Sequence, residues 1–294
     1  MKEITSAKTE LVVKKQCQLQ IIWGRLRKSP SAVTGMVIFF ILILLAVFAD
    51  FLTPYDYNQI DVYSANLAPS LKHLCGTDNY GRDILTRLLI GARYSLTIGF
   101  GATIFGSACG LVVGATSGFF GGKIDELIMR LTDIIQSIPG QVLQVAIACA
   151  LGVGFWKVVI VLAVGQIATV ARIIRAQILQ VRTMEYVEAA GIVNCSSIKI
   201  MVKHLLPNTF SPVLVNMTMS IGGSIMAAAG LSYLGLGIQP PIPEWGAMLS
   251  EARDYMRLYP WMCIAPGFML MVTVLSLNLF GDGLRDALDP KLKK

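Results

Sequence analysis

Six long apolar runs, at about residues 33–52, 95–118, 127–151, 155–171, 210–234 and 261–281, constrain this chain more than any other feature. The hydrocarbon core of a bilayer is about 30 Å thick and takes roughly 20 residues of helix to cross. Inside lipid a helix satisfies its own backbone N–H and C=O groups. The runs therefore predict an all-α, polytopic membrane protein with six transmembrane helices. The first run holds no charge before Asp50, whereas Arg130, Asp133 and Lys157 sit near the ends of the third and fourth. Composition excludes the soluble alternative: 54% of the 294 residues are hydrophobic and 15% charged, against about 25% charged in soluble domains. The expected organisation is a tail (1–32), a first span (33–52), an extracytoplasmic segment (53–94), a five-helix core (95–281) that includes a polar loop at 181–208, and a second tail (282–294).

The net charge of +7 reads as a topology signal, not as a sign of nucleic-acid binding. Lys2, Lys8, Lys14, Lys15, Arg25, Arg27 and Lys28 fill the first tail. Arg172, Arg175, Arg182, Lys199 and Lys203 fall between the fourth and fifth runs, and Arg285, Lys291, Lys293 and Lys294 close the chain. With Lys123 and Arg130 they put 18 of the 25 Lys and Arg residues on one side of the membrane. Positive residues favour the cytoplasmic side, so both termini are expected there, in a multi-pass protein of the cell membrane surrounded by lipid. The first run lies far from the start and lacks a small-x-small close, which predicts an uncleaved anchor.

Nothing in the sequence supplies a catalytic or metal centre. The six cysteines show neither a disulfide framework nor Cys-x-x-Cys spacing. His73 and His204 are the only histidines and fall on opposite sides of the expected membrane, so they share no metal site. Residues 118–123 (GFFGGK) resemble a phosphate-binding loop, but Ser117 stands at its first glycine position and Ile124 follows the lysine. Any ATP must be hydrolysed by another polypeptide.

Gly106, Gly110, Gly114 and Gly118 recur every four residues on one helix face, where a missing side chain lets another helix approach closely. Pro139-Gly140 lies in the middle of the third run and predicts a kink. Gln136, Gln141 and Gln144 lie near it. Polar side chains at this depth face protein or a water-filled path, so both pore lining and interhelical hydrogen bonding fit them. Gln166, Asn216 and Asn278 are further lining candidates.

Residues 178–208 form the longest polar stretch on the inner side. A helix is expected over 186–193, a break at Asn194-Cys195-Ser196-Ser197, and a second amphipathic helix over 198–206 ended by Pro207. Such a flat ledge is suited to receiving a partner. Residues 236–260 form a second outer segment, with a short helix over 245–257, and a short unstructured end follows Gly281-Asp282-Gly283.

Glu188-Ala189-Ala190 and His204-Leu205-Leu206-Pro207-Asn208 resemble, in order and spacing, the EAA loop of bacterial ABC-importer permeases. Other stretches are similar to "C"-type dipeptide, oligopeptide and nickel permeases. These are Gly76-Thr77-Asp78, Gly81-Arg82-Asp83, Gly91-Ala92-Arg93, Leu231 to Gly237, Pro243-Glu244-Trp245-Gly246, Gly281 to Asp286 and Leu288-Asp289-Pro290. The resemblance spans about residues 30–290. It implies a type I ABC importer permease fold and a non-enzymatic subunit that forms the path for peptides, nickel or a metal chelate. It also implies one homologous second permease, two ATP-binding subunits that hold the ATP and Mg, and an extracytoplasmic substrate-binding protein.

In that reading Glu188 contacts the ATPase, Ala189 and Ala190 permit close approach, and Leu206 and Pro207 anchor the second coupling helix. His204 bonds within the loop. The family's turn glycine falls on Asn194, the best non-glycine residue for a left-handed turn. Gly191 replaces a larger residue and loosens the first helix by under about 1 kcal/mol. An ion-coupled secondary transporter is the alternative, but it typically carries charges deep in its spans, which are nearly free of them here. An intramembrane enzyme would need a catalytic constellation, and none is found.

Overall fold

Proline is tolerated in the first turn of a helix, where its missing N–H has no partner to lose. Pro30 accordingly opens the first apolar helix behind Ser29. The computed structural model describes residues 18–185, 187, 197–201 and 205–288. In chain order the helices are α1 (Gln18–Leu26), α2 (Pro30–Val47), α3 (Ala49–Leu52), α4 (Ile84–Phe120), α5 (Gly122–Ser137), α6 (Gly140–Leu151), α7 (Phe155–Arg182), α8 (Ser197–Ile200), α9 (Leu206–Tyr233), α10 (Trp245–Ala252) and α11 (Trp261–Leu288). Among the described residues the extended pairing is one isolated bridge, Thr77 to Asp83. Five helices, α2, α4, α7, α9 and α11, are long and apolar enough to cross a membrane, and α5 with α6 makes a sixth if that bent pair counts as one span.

The most extensive seam joins α4 to α7, and the glycine stripe makes it. A Cβ on Gly106 would lie 2.9 Å from Ala163 O, on Gly110 2.8 Å from Ile167 O, and on Gly114 2.4 Å from Ala171 O. Each glycine thus meets the next turn of α7. At the other flank α2 crosses α11 at Gly35 and Gly283, where a Cβ on Gly283 would sit 2.1 Å from Ala32 Cβ. The short α10 is seated between α4, α9 and α11, with Trp245 fully buried and its indole N–H donated to Leu88 O at 3.0 Å.

Five features depart from the sequence reading. Helix α4 begins at Ile84, inside the stretch read as an outer segment to residue 94. Its 37 residues extend for about 55 Å, well beyond a ~30 Å hydrocarbon core, and hydropathy detects only the part in lipid. For the same reason α7 runs on to Arg182, and α11 continues through Leu288 where a short unstructured end was expected. The kink at Pro139 is a full break, with α5 and α6 meeting at 94°. Ile138 is extended (φ −89°, ψ 131°), the conformation that a following proline enforces. Pro207 stands in the first turn of α9 and so opens that helix, where the sequence reading has it end the preceding one; α8 itself covers Ser197–Ile200.

Candidate functional site

Three features could work: a polar lattice inside the bundle, the segment between α7 and α9, and a knot of charges at the opposite end of α4.

Polar side chains in an apolar bundle need partners, and the lattice supplies them without charge. On α7, Gln166 Nε2 donates to Ser107 Oγ of α4 at 3.1 Å and to Asn216 Oδ1 of α9 at 3.2 Å. Ser220 Oγ donates to the same Asn216 oxygen at 3.4 Å, and Thr103 and Ser224 hydroxyls pair at 3.2 Å. Gly106 makes room for the Gln166 stem, since a Cβ there would lie 2.7 Å from Gln166 Cβ. Of the six lining candidates, the structure therefore brings Gln166 and Asn216 together. Asn278 on α11 lies beside Gly222 of α9. Gln136 and Gln141 are exposed and Gln144 is half-buried, on either side of the α5–α6 break.

Ser107, Ser220, Thr103 and Ser224 were not singled out from the sequence. Their signal was there: 216, 220 and 224 repeat every four residues on α9, as 103 and 107 do on α4. Interhelical hydrogen bonds of this kind contribute about 0.6 kcal/mol each. Gln166→Leu, which removes two of them, should lower stability by about 1 kcal/mol in a denaturation series on the detergent-solubilised chain.

Glu188, Ala189, Ala190, Gly191, Asn194 and His204 lie outside the described residues. The two ends of their segment are placed. Val187 and Leu205 are both buried in one apolar cluster with Ala115 of α4, Val170, Ile174, Ile178 and Val181 of α7 and Val213 of α9. Leu206, half-buried, packs on the same cluster. The segment thus leaves and returns to the bundle at a single point.

At the other end of α4 the residues quoted as a signature form a bolt. Asp83 caps α4, accepting from Thr86 N at 2.7 Å, and lies 2.9 Å from His73 Nδ1. Arg82 Nε donates to Asp78 at 2.6 Å, and Arg82 and Arg87 both reach Glu251 Oε2, at 3.0 and 2.9 Å. Glu244, fully buried, caps α10 through Gly246 N and Ala247 N, at 3.0 and 2.9 Å, and accepts from Ser95 Oγ at 3.2 Å. Gly76 and Gly81 hold positive φ, 78° and 75°, which the turns between these residues require. Burial, with the neighbouring Asp83 carboxylate, pushes the Cys75 thiol up. A raised pKa disfavours the thiolate, the reactive form of a cysteine. Among the described residues no group of three or more His, Cys, Asp or Glu is placed to hold a metal ion.

Comparison with known proteins fits this geometry. Residues 110–294 match the family described as binding-protein-dependent transport system inner membrane component. Residues 18–69 match the N-terminal TM domain of oligopeptide transport permease C. The glutathione transport system permease protein GsiD of Escherichia coli O157:H7 is 43% identical over 272 residues, covering 92% of this chain and 90% of GsiD. GsiD of Shigella sonnei (strain Ss046) gives the same figures. An inward-facing structure of the MetNI methionine ABC transporter is similar in fold at TM-score 0.58 and 22% identity, covering 70% of this chain and 98% of that one. An amino acid ABC transporter crystallised with histidines is similar at TM-score 0.52 and 18% identity, with 68% and 93% covered.

Proposed function

This chain belongs to the family of binding-protein-dependent transport system inner membrane components, and from that premise we propose a small peptide of the glutathione class as its cargo. It is a transmembrane permease subunit of an ATP-binding-cassette importer. The cargo assignment is supported by the relatives named for glutathione transport. It is also supported by chemistry: Gln136, Gln141 and Gln144 offer neutral amide donors and acceptors, which exchange hydrogen bonds with peptide groups without trapping a charge.

The working assembly contains a homologous second permease, two ATP-binding subunits that carry ATP and Mg, and an extracytoplasmic receptor that delivers the peptide. Both termini and residues 181–208 lie on the cytoplasmic side, in keeping with the excess of Lys and Arg there. Glu188, Ala189, Ala190, Gly191 and Asn194 form the surface that an ATPase receives, His204 bonds within it, and Leu206 and Pro207 join it to α9. One observation carries this reading above the others. Val187 and Leu205 are anchored in the same cluster as α4, α7 and α9, so displacement of the segment between them is felt by all three helices. Glu188→Arg should reduce substrate-stimulated ATP hydrolysis by the assembled complex about tenfold, a typical allosteric coupling energy. Stimulation equal to wild type would remove the coupling role.

A further inference from the structure

All three arginines of α7 bond to the α4–α5 hairpin. Arg175 Nε and Nη2 grip the two carboxylate oxygens of Asp125, each at 2.6 Å. Arg172 Nη2 reaches Asp133 at 2.6 Å, and Arg182 Nη1 donates to Phe119 O at 3.1 Å. The Ser117 hydroxyl also donates to Asp125. Of these, the Asp125–Arg175 pair is the strong one. It is bidentate, which planar guanidinium favours. It is also the less exposed pair, 16% and 32% for Asp125 and Arg175 against 66% and 49% for Asp133 and Arg172, so water screens it less. Asp125 further stands in the first turn of α5, where the helix dipole favours a negative charge.

What this pair holds is otherwise loosely attached. Thr132 is the buried residue of α5, whereas Leu127, Leu131 and Ile134 are exposed at 63%, 53% and 61%. Apolar packing therefore contributes little to seating the helix. A glycine pair of positive φ, Gly121 (φ 66°) just before α5 and Gly122 (φ 55°) as its first residue, opens the helix, and the Pro139 break follows it. Side chains are sparse around that pair: nothing lies within 4 Å of a Cβ built on Gly122. By contrast α4 and α7 are locked together along the glycine stripe. Helix α7 runs straight into the segment that begins at residue 183.

We infer that Asp125–Arg175 is a positioning contact: it makes the bent pair α5–α6 follow α7 when that segment is displaced. The inference rests on the coupling role given above to residues 181–208. Without the clasp, α5 has a hinge at each end, and only the exposed Arg172–Asp133 pair and sparse packing remain to carry movement to Gln136, Gln141 and Gln144.

The test uses the complete importer in membranes. Cys149, exposed on α6, is labelled with N-ethylmaleimide, with and without ATP, and its modification is read by mass spectrometry. In wild type its labelling rate should change roughly fivefold on adding ATP, and Asp125→Asn should reduce the change to less than about twofold. The exchange Asp125→Arg with Arg175→Asp should restore most of it, and Asp133→Asn should leave it in place. An ATP response in Asp125→Asn equal to wild type overturns the inference. So does a wild-type rate that ignores ATP, or an Asp125→Asn complex that fails to assemble and is not rescued by the exchange, which would make the pair a folding contact. Substrate stimulation of ATP hydrolysis, measured on the same wild-type samples, separately judges the coupling role itself.

Discussion

Gly114→Leu should yield a chain that no longer folds stably in detergent. A Cβ at this position would lie 2.4 Å from Ala171 O, 2.8 Å from its Cα and 3.0 Å from its carbonyl carbon, all backbone atoms of α7. Backbone cannot swing aside as a side-chain tip can. To admit the new side chain, the two helix axes must separate, and the contacts at Gly106, Gly110 and Gly118 loosen with them. Overpacking a core usually costs 1–3 kcal/mol by rearranging neighbours, so about 3 kcal/mol or more is expected where the neighbour is a helix backbone. Dispersion across such close seams is what holds helices together in lipid, where the hydrophobic effect between them is absent. The loss also reaches the Gln166 lattice, because Gly106 and Gln166 share the seam. Gly165→Ala on α7, where nothing lies within 4 Å of the added Cβ, should leave the thermal midpoint of the purified chain unchanged. Equal midpoints for Gly114→Leu and wild type would refute the seam.

That seam shows what a membrane sequence makes legible. The bilayer imposes a length and a polarity on each span, so the apolar runs could be read one at a time, and the four-residue glycine stripe predicted a close helix contact before its partner was known. Gln166 and Asn216 stood out because an amide within an apolar run is costly to leave unpaired. What the runs could not show was how far helices continue past the lipid. The first turns of α4 carry Thr86 and Arg87, and the last turns of α11 carry Asp282, Arg285 and Asp286. Their helicity comes from caps and packing on neighbours such as Ala32, not from hydropathy. The size of the bend between α5 and α6 was equally hidden. Proline predicts an interruption, but the angle depends on what each half packs against. Pairings such as Asp125 with Arg175, 50 residues apart, or Arg87 with Glu251, 164 apart, exist only once the helices are arranged. The Glu-Ala-Ala segment remains a reading of sequence, supported by where its two ends are fixed.

Arg87→Met should be the most damaging change at the opposite end of α4. Arg87 is 1% exposed, donates to Glu251 at 2.9 Å and to Tyr57 O at 3.3 Å, and its Nε lies 3.7 Å from Asp78. Arg82, also nearly buried, bonds the same two acids. Two positive and two negative groups thus alternate around a knot that ties the 53–83 segment to α10. Methionine fills much of the same volume, so the loss is electrostatic rather than a cavity. It leaves one arginine facing two carboxylates with little water to screen them. Removing one member of a buried ion pair costs about 3–5 kcal/mol, and the lower figure applies because the Glu251 side chain is 19% exposed. Arg87→Lys keeps the charge without the planar fork, and its effect should fall in between. Breaking the exposed Arg253–Asp254 pair, 56% and 79% exposed, should change stability by less than about 1 kcal/mol. The comparison is made by thermal unfolding of the three variants in one detergent, with limited proteolysis following the 53–83 segment. If the knot holds the segment, cleavage there rises in Arg87→Met at temperatures where α4 and α7 still resist. An Arg87→Met midpoint level with that of the Arg253 variant would mean that apolar packing around Trp245, not the charges, seats this end of the bundle.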